Sequence, residues 1–213
     1  MALSEDWRDP LSLWRWVRFF FVVTIIGYLI ITGDALITLS ILAHLISVDI
    51  SQARIIDGII VYGSQVLVAL FVLCALASLR LIYRLMKNAH ERPEGEELTS
   101  PVMAVGYFFI PFVSLVMPPV VMGQIWRNAY AARENPRQGS ALIGWWWFCY
   151  LGGGILLLAG SFMLKGDGIT VAAYAITIAG YVVRTLAAVL FVMLLGKLSH
   201  AQAEFSTAAE AFS

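Results

Sequence analysis

PVMAVGYFFIPFVSLVMPPVVMGQIWRNAYAARENPR, residues Pro101 to Arg137, is an apolar run long enough to span a bilayer, yet Pro111, Pro118 and Pro119 interrupt it. Proline removes a backbone donor and clashes with the preceding turn. In hydrocarbon each carbonyl freed in that way needs a protein or water partner, so a lipid-facing helix with three such breaks is disfavoured. The stretch therefore reads as a re-entrant or interfacial hairpin over about residues 101–134. It divides the remaining apolar runs into two pairs. Pro119 is suited to open a short amphipathic helix with Gln124, Arg127 and Asn128 on one side and Val121, Ile125 and Ala129 on another, a helix expected to lie along the membrane surface.

Composition agrees with a membrane setting. Hydrophobic residues form 60% of the chain and charged residues 13%, with a mean hydropathy of +0.82, a balance that water-soluble domains do not show. Formal net charge is zero, so no global attraction to nucleic acid is expected. Cys74 and Cys149 both lie in apolar runs, which fits small hydrophobes better than a disulfide framework or metal ligands. The first apolar run is too long for a cleavable signal core and is expected to remain in the mature protein.

Four spans follow from the run lengths, at about 17–47, 58–79, 140–164 and 169–195, in a single membrane domain over 1–213 with a tail at 197–213. Asp9 and Pro10 read as a helix start. The first run is about 45 Å long at 1.5 Å per residue, more than a 30 Å core requires, and Gly33 beside Asp34 is its expected bend. The second span ends in Arg80, Arg84 and Lys87, which share one helical face. In the third, Gly152, Gly153, Gly154 and Gly160 leave room for a close helix approach. The expected fold class is an all-α integral membrane protein: four transmembrane helices plus the proline-broken hairpin and short amphipathic surface helices. Trp14, Trp16, Trp126, Trp145, Trp146 and Trp147 read as interfacial aromatic anchors.

Counting cations sets the topology. Arg8, Arg15, Arg18, Arg80, Arg84, Lys87, Arg92, Arg127, Arg133, Arg137 and Lys197 fall on one side of a four-span arrangement, against Arg54 and Lys165 on the other. Both termini are therefore expected in the cytoplasm, with the protein in a bacterial inner membrane. A fifth span would carry Arg127, Arg133 and Arg137 across and weaken that asymmetry.

The segment GYFFIPFVSLVMPP, followed by QIWRNA and by WWW at Trp145, resembles an uncharacterised bacterial family of four-span membrane proteins known as domain of unknown function four-three-two-eight. Phe109, Ile110, Pro111, Phe112, Leu115, Trp126, Trp145 and Trp146 carry the likeness, which covers roughly Gly58 to the end. Pro119 beside Pro118 is less typical of that pattern. The resemblance implies the architecture and brings no activity with it.

Two charges fit no loop: Asp34 and Arg184, at similar depths of roughly 25 Å and 20 Å from the cytoplasmic ends of their helices at 1.5 Å per residue. They are expected to pair between the first and fourth spans, as a structural clasp or as part of a proton or ion path. Tyr174, Thr177, Tyr181 and Arg184 form a polar stripe, read as helix contacts or as the lining of a small cavity for a lipid headgroup or a cofactor tail. Arg80, Arg84, Lys87, Arg127, Arg133 and Arg137 form a cytoplasmic patch, read as topology determinants or as a headgroup site. His44, His90 and His200 supply no pair at depth for haem, so no cofactor or metal is expected. No nucleophile, paired carboxylate or ligand cluster points to catalysis. The expected function is that of a non-catalytic structural or accessory membrane subunit, partnered by lipids and other membrane subunits, with oligomeric state open. The alternative is a small transporter, channel or lipid-handling protein built on the hairpin and the Asp34/Arg184 pair.

Overall fold

The computed structural model describes residues 7–47, 49–91, 98–131, 141–166 and 170–211. Among them every regular element is helical: α1 (Leu11–Leu42), α2 (Ile50–His90), α3 (Pro101–Gly106), a 3-10 turn at Val113–Leu115, α4 (Met117–Ala129), α5 (Ala141–Gly166) and α6 (Val171–Ala211). Four segments are long and apolar enough to cross a membrane: Leu11–Leu42, Arg54–His90, Ala141–Lys165 and Val171–Phe205. The four-span, all-helical reading therefore holds. The helix ends differ from those expected.

α1 begins where Asp9 predicted, its carboxylate accepting the Leu11 amide at 2.9 Å. The helix is continuous through Gly33. It stops instead at His44, whose φ of 57° is a left-handed setting usually left to glycine. The Leu45 amide donates to Ser40 O at 2.9 Å and the His44 amide to Ile41 O at 3.0 Å, the paired bonds that close a helix end through a left-handed residue. α2 then starts eight residues before the expected span, because Asp49 and Gln52 cap it reciprocally. The Gln52 amide donates to Asp49 Oδ1 at 2.8 Å and Gln52 Oε1 accepts the Asp49 amide at 3.0 Å, satisfying two free donors at once.

α2 and α6, 41 residues each, run about 60 Å at 1.5 Å per residue. Both continue past the points where the apolar runs end, and the tail from Lys197 to Ala211 is part of α6. The hairpin is broken as the prolines require, though not at each one. Pro101 opens α3, with Ser100 Oγ accepting the Met103 amide at 3.3 Å. Pro118 and Pro119 sit in the first turn of α4, where their missing amides are not needed. Pro111 makes the break. The Val113 amide donates to Pro111 O at 2.7 Å across Phe112, whose φ of 63° and ψ of −44° give the rare, strained hand of γ-turn.

Packing divides the chain into two compact units. The first comprises residues 1–19, 75–144 and 191–213; the second comprises 20–74 and 145–190. In the first, Leu81, Ile82, Leu85 and Met86 of α2 are buried with Val121, Met122 and Ile125 of α4 and Leu194, Leu195 and Leu198 of α6. Both Trp126 and Asn128 are buried there, which corrects the placing of Asn128 on the outward polar side of α4 and of Trp126 as an interfacial ring. In the second unit α5 and α6 approach closely. A Cβ on Gly180 would stand 2.9 Å from the Leu157 backbone nitrogen, and one on Gly160 would meet Thr177 Oγ1. Thr177 itself bonds to Ala173 O at 2.8 Å, so its hydroxyl serves its own helix. Gly152, by contrast, faces open space.

Candidate functional site

The second unit places its polar side chains where α1, α5 and α6 supply them. Asp34 on α1 is 4% exposed. Arg184 on α6 is half-buried, and its side chain lies against α5 where that helix has no Cβ. A methyl group on Gly153 would stand 3.0 Å from Arg184 Cγ, and one on Gly154 would stand 3.7 Å from Nη2. The glycine run thus seats an arginine as well as a helix backbone. The guanidinium carbon lies 4.3 Å from the centre of the Tyr150 ring. Tyr150 in turn stacks on Trp147 at 5.2 Å and 13°, and Trp147 leans on Trp146 at 5.2 Å. Tyr28 and Tyr181 meet with ring centroids 6.2 Å apart.

Stacking on the Tyr150 ring leaves the N–H edge of the Arg184 guanidinium for hydrogen bonds in its own plane. Sequence reading found Arg184 and Tyr181 through their three-residue spacing but passed over Tyr150 and Tyr28. The Trp147, Tyr150 spacing on α5 was the available signal. Elsewhere in this unit Thr24 Oγ1 and Cys74 Sγ lie 3.2 Å apart and link α1 to α2. Among the described residues no group of three or more His, Cys, Asp or Glu gathers as a metal site would require.

A family profile described as Domain of unknown function (DUF4328) matches residues 45–200. The chain belongs to that family. No curated protein and no solved structure matches it. The DUF4328 region begins just before α2, somewhat earlier than the resemblance suggested, and holds Tyr150, Tyr181 and Arg184, whereas Tyr28 and Asp34 lie on α1 ahead of it.

Within the DUF4328 region the first unit carries a buried amide network with no counterpart in the sequence reading. Gln202, just past the matched residues and fully buried, donates from Nε2 to Leu85 O at 2.8 Å and accepts Asn88 Nδ2 at 3.1 Å. Asn88 Nδ2 also reaches Arg8 O at 3.0 Å. Asn128 Nδ2 donates to Ala89 O at 3.2 Å, and the Tyr130 hydroxyl to Lys197 O at 3.2 Å. These bonds tie α4 to α2 and α6. The Thr99 amide donates to Gln124 Oε1 at 3.2 Å, so the chain that leaves at Thr99 returns to the same place 25 residues later.

The remaining sequence candidates fall as follows. Of the six tryptophans expected as interfacial anchors, Trp16 and Trp145 face outward and Trp147 partly so, whereas Trp14, Trp126 and Trp146 pack against the chain itself. Trp14 lies over Gly196, where an added Cβ would come within 2.8 Å of its ring. Arg80 and Arg127 are exposed, and Arg84 and Lys87 are half-buried. Arg133 and Arg137 lie outside the described residues.

Proposed function

We propose that this DUF4328 protein is a non-catalytic integral membrane protein of the bacterial cytoplasmic membrane, with both termini cytoplasmic, serving as a structural or accessory subunit that packs against lipids and partner helices. One observation carries the reading: the hairpin from Pro101 to Gln124 has no charged residue in 24 positions, its ends are tied together by the Thr99 to Gln124 bond, and its turn exposes Phe109 at 69% and Phe112 at 83%. Apolar surface of that kind is stable where it meets hydrocarbon. α3, at six residues, is about 9 Å long at 1.5 Å per residue, enough to enter one leaflet and too short to cross a 30 Å core.

The test is site-directed spin labelling in reconstituted vesicles. A label at Phe112→Cys is expected to collide with oxygen and be shielded from a water-soluble nickel reagent. Labels at Ser100→Cys and Ala131→Cys should both meet the nickel reagent from the cytoplasmic side. Ser100 and Ala131 on opposite faces would overturn the topology. Purification in mild detergent tests the accessory role, which predicts co-purifying membrane chains. A second reading, a small transporter, draws on the burial of Asp34 among apolar helices and predicts water access to that carboxylate from one side.

A further inference from the structure

We propose that Arg184 is the anion-binding residue of a lipid-phosphate site on the second unit, with Tyr150 as its seat. The inference holds whether the chain is an accessory subunit or a transporter. It starts from the geometry of the arginine. Gly153 and Gly154 let the side chain lie along α5, with Cγ and Nη2 against positions that lack a Cβ, and the Tyr150 ring covers one face of the guanidinium at 4.3 Å. A planar guanidinium held by its face presents its N–H edge as a fork, and phosphate oxygens match that fork in pairs.

The surroundings suit an amphiphile better than a free ion. Tyr150 continues through Trp147 to Trp146 as a stack of rings, and indoles prefer the level of the lipid headgroups. Leu158 on α5, one turn beyond Gly154, is exposed and offers apolar surface for an acyl chain on the side of α5 that the arginine lies against. A phosphate whose charge is not masked by its own ammonium group is the chemistry selected. Phosphatidylglycerol carries such a phosphate and phosphatidylcholine does not.

Native mass spectrometry of the full chain, released from vesicles holding equal amounts of these two lipids with identical acyl chains, tests the site. Retention of phosphatidylglycerol over phosphatidylcholine by about tenfold is expected, the ratio that one well-placed charge-assisted contact gives. Arg184→Gln should bring the ratio close to one, Arg184→Lys should keep part of it, and Arg80→Ala should leave it unchanged. Should Arg184→Gln fail to fold, Tyr150→Leu tests the seat and is expected to lower the ratio several-fold. Asp34→Asn is expected to retain the preference. A native protein without preference overturns the proposal. So does a preference that appears only in Asp34→Asn, because the carboxylate would then fill the site, and so does binding of inorganic phosphate that competes with the lipid at millimolar concentration.

Discussion

Replacing Gln202 by leucine tests whether the buried amide network holds the first unit together. The side chain is fully buried, donates to Leu85 O at 2.8 Å and accepts Asn88 Nδ2 at 3.1 Å. Leucine is of similar size and fills most of the space, so the cavity cost is small. Two hydrogen bonds are lost at about 0.5–1.5 kcal/mol each, and the Asn88 proton that faced Gln202 is left in an apolar setting at a further 1–3 kcal/mol. Leu85 O keeps the helical bond from its own turn. A loss of about 2–4 kcal/mol is expected, read from reversible unfolding in mixed micelles by tryptophan fluorescence. Asn88→Leu alone strands Gln202 Oε1 and should cost a similar amount. The double variant removes both halves of the contact and should cost less than the sum by about 1–2 kcal/mol. Additivity within about 0.5 kcal/mol would refute the network as a coupled unit, and a neutral Gln202→Leu would refute its contribution altogether.

Four further outcomes are expected. Gly180→Ala places a methyl group 2.9 Å from the Leu157 backbone nitrogen and should destabilise the second unit by about 1–3 kcal/mol, whereas Gly152→Ala meets nothing and should gain up to about 1 kcal/mol from helix propensity; the same unfolding assay separates them. His44→Gly relieves the left-handed φ of 57° and should raise stability by about 1 kcal/mol. Phe112→Gly eases the strained turn while removing the most exposed ring of the hairpin, so thermal stability in detergent should hold or rise as partitioning of the hairpin into bilayers, read by spin-label depth, falls. The Gln52 amide and then the Ser51 hydroxyl hold the Asp49 carboxyl below its ordinary range; because the folded value is the lower one, the cap is at full strength above the ordinary carboxylate pKa and is lost as pH falls through the depressed value. Hydrogen exchange at Gln52 should therefore speed up only below that point, and Asp49→Asn should flatten the dependence.

The number and class of the spans were legible because unbroken apolar length has one inexpensive solution in lipid. Their ends were not, and the reason is visible in α2. Arg80, Arg84 and Lys87 mark where the apolar face narrows, yet Leu81, Ile82, Leu85, Met86 and Ala89 continue at helical spacing and are all buried. The charges end the uniformly apolar stretch without ending the helix. Trp126 shows a related failure, since residue type alone suggests an interfacial ring while its position, one turn from Met122 and from Tyr130, places it on the buried face of α4. Asn88 and Gln202 are 114 residues apart and carry no local signal. Tyr150 beneath Arg184 was hidden for the same reason. The pattern along one helix cannot say which ring of another will meet it.

The two units differ in what they bury and what they show, and that contrast bears on the solvent each one meets. The first encloses large aliphatic side chains and exposes Arg8, Arg15, Arg18, Arg80 and Arg127, as a protein in contact with water or headgroups does. The second encloses Thr24, Thr32 and Asp34 together with small residues such as Ala35, Ala173 and Ala187, and turns Leu29, Ile30, Val66, Val68, Ile155 and Phe162 outward. Water would drive those outward side chains together, whereas hydrocarbon leaves them no reason to leave the surface and makes the polar ones seek the interior. Close helix approach through glycines is also how helices associate where apolar burial supplies no driving force.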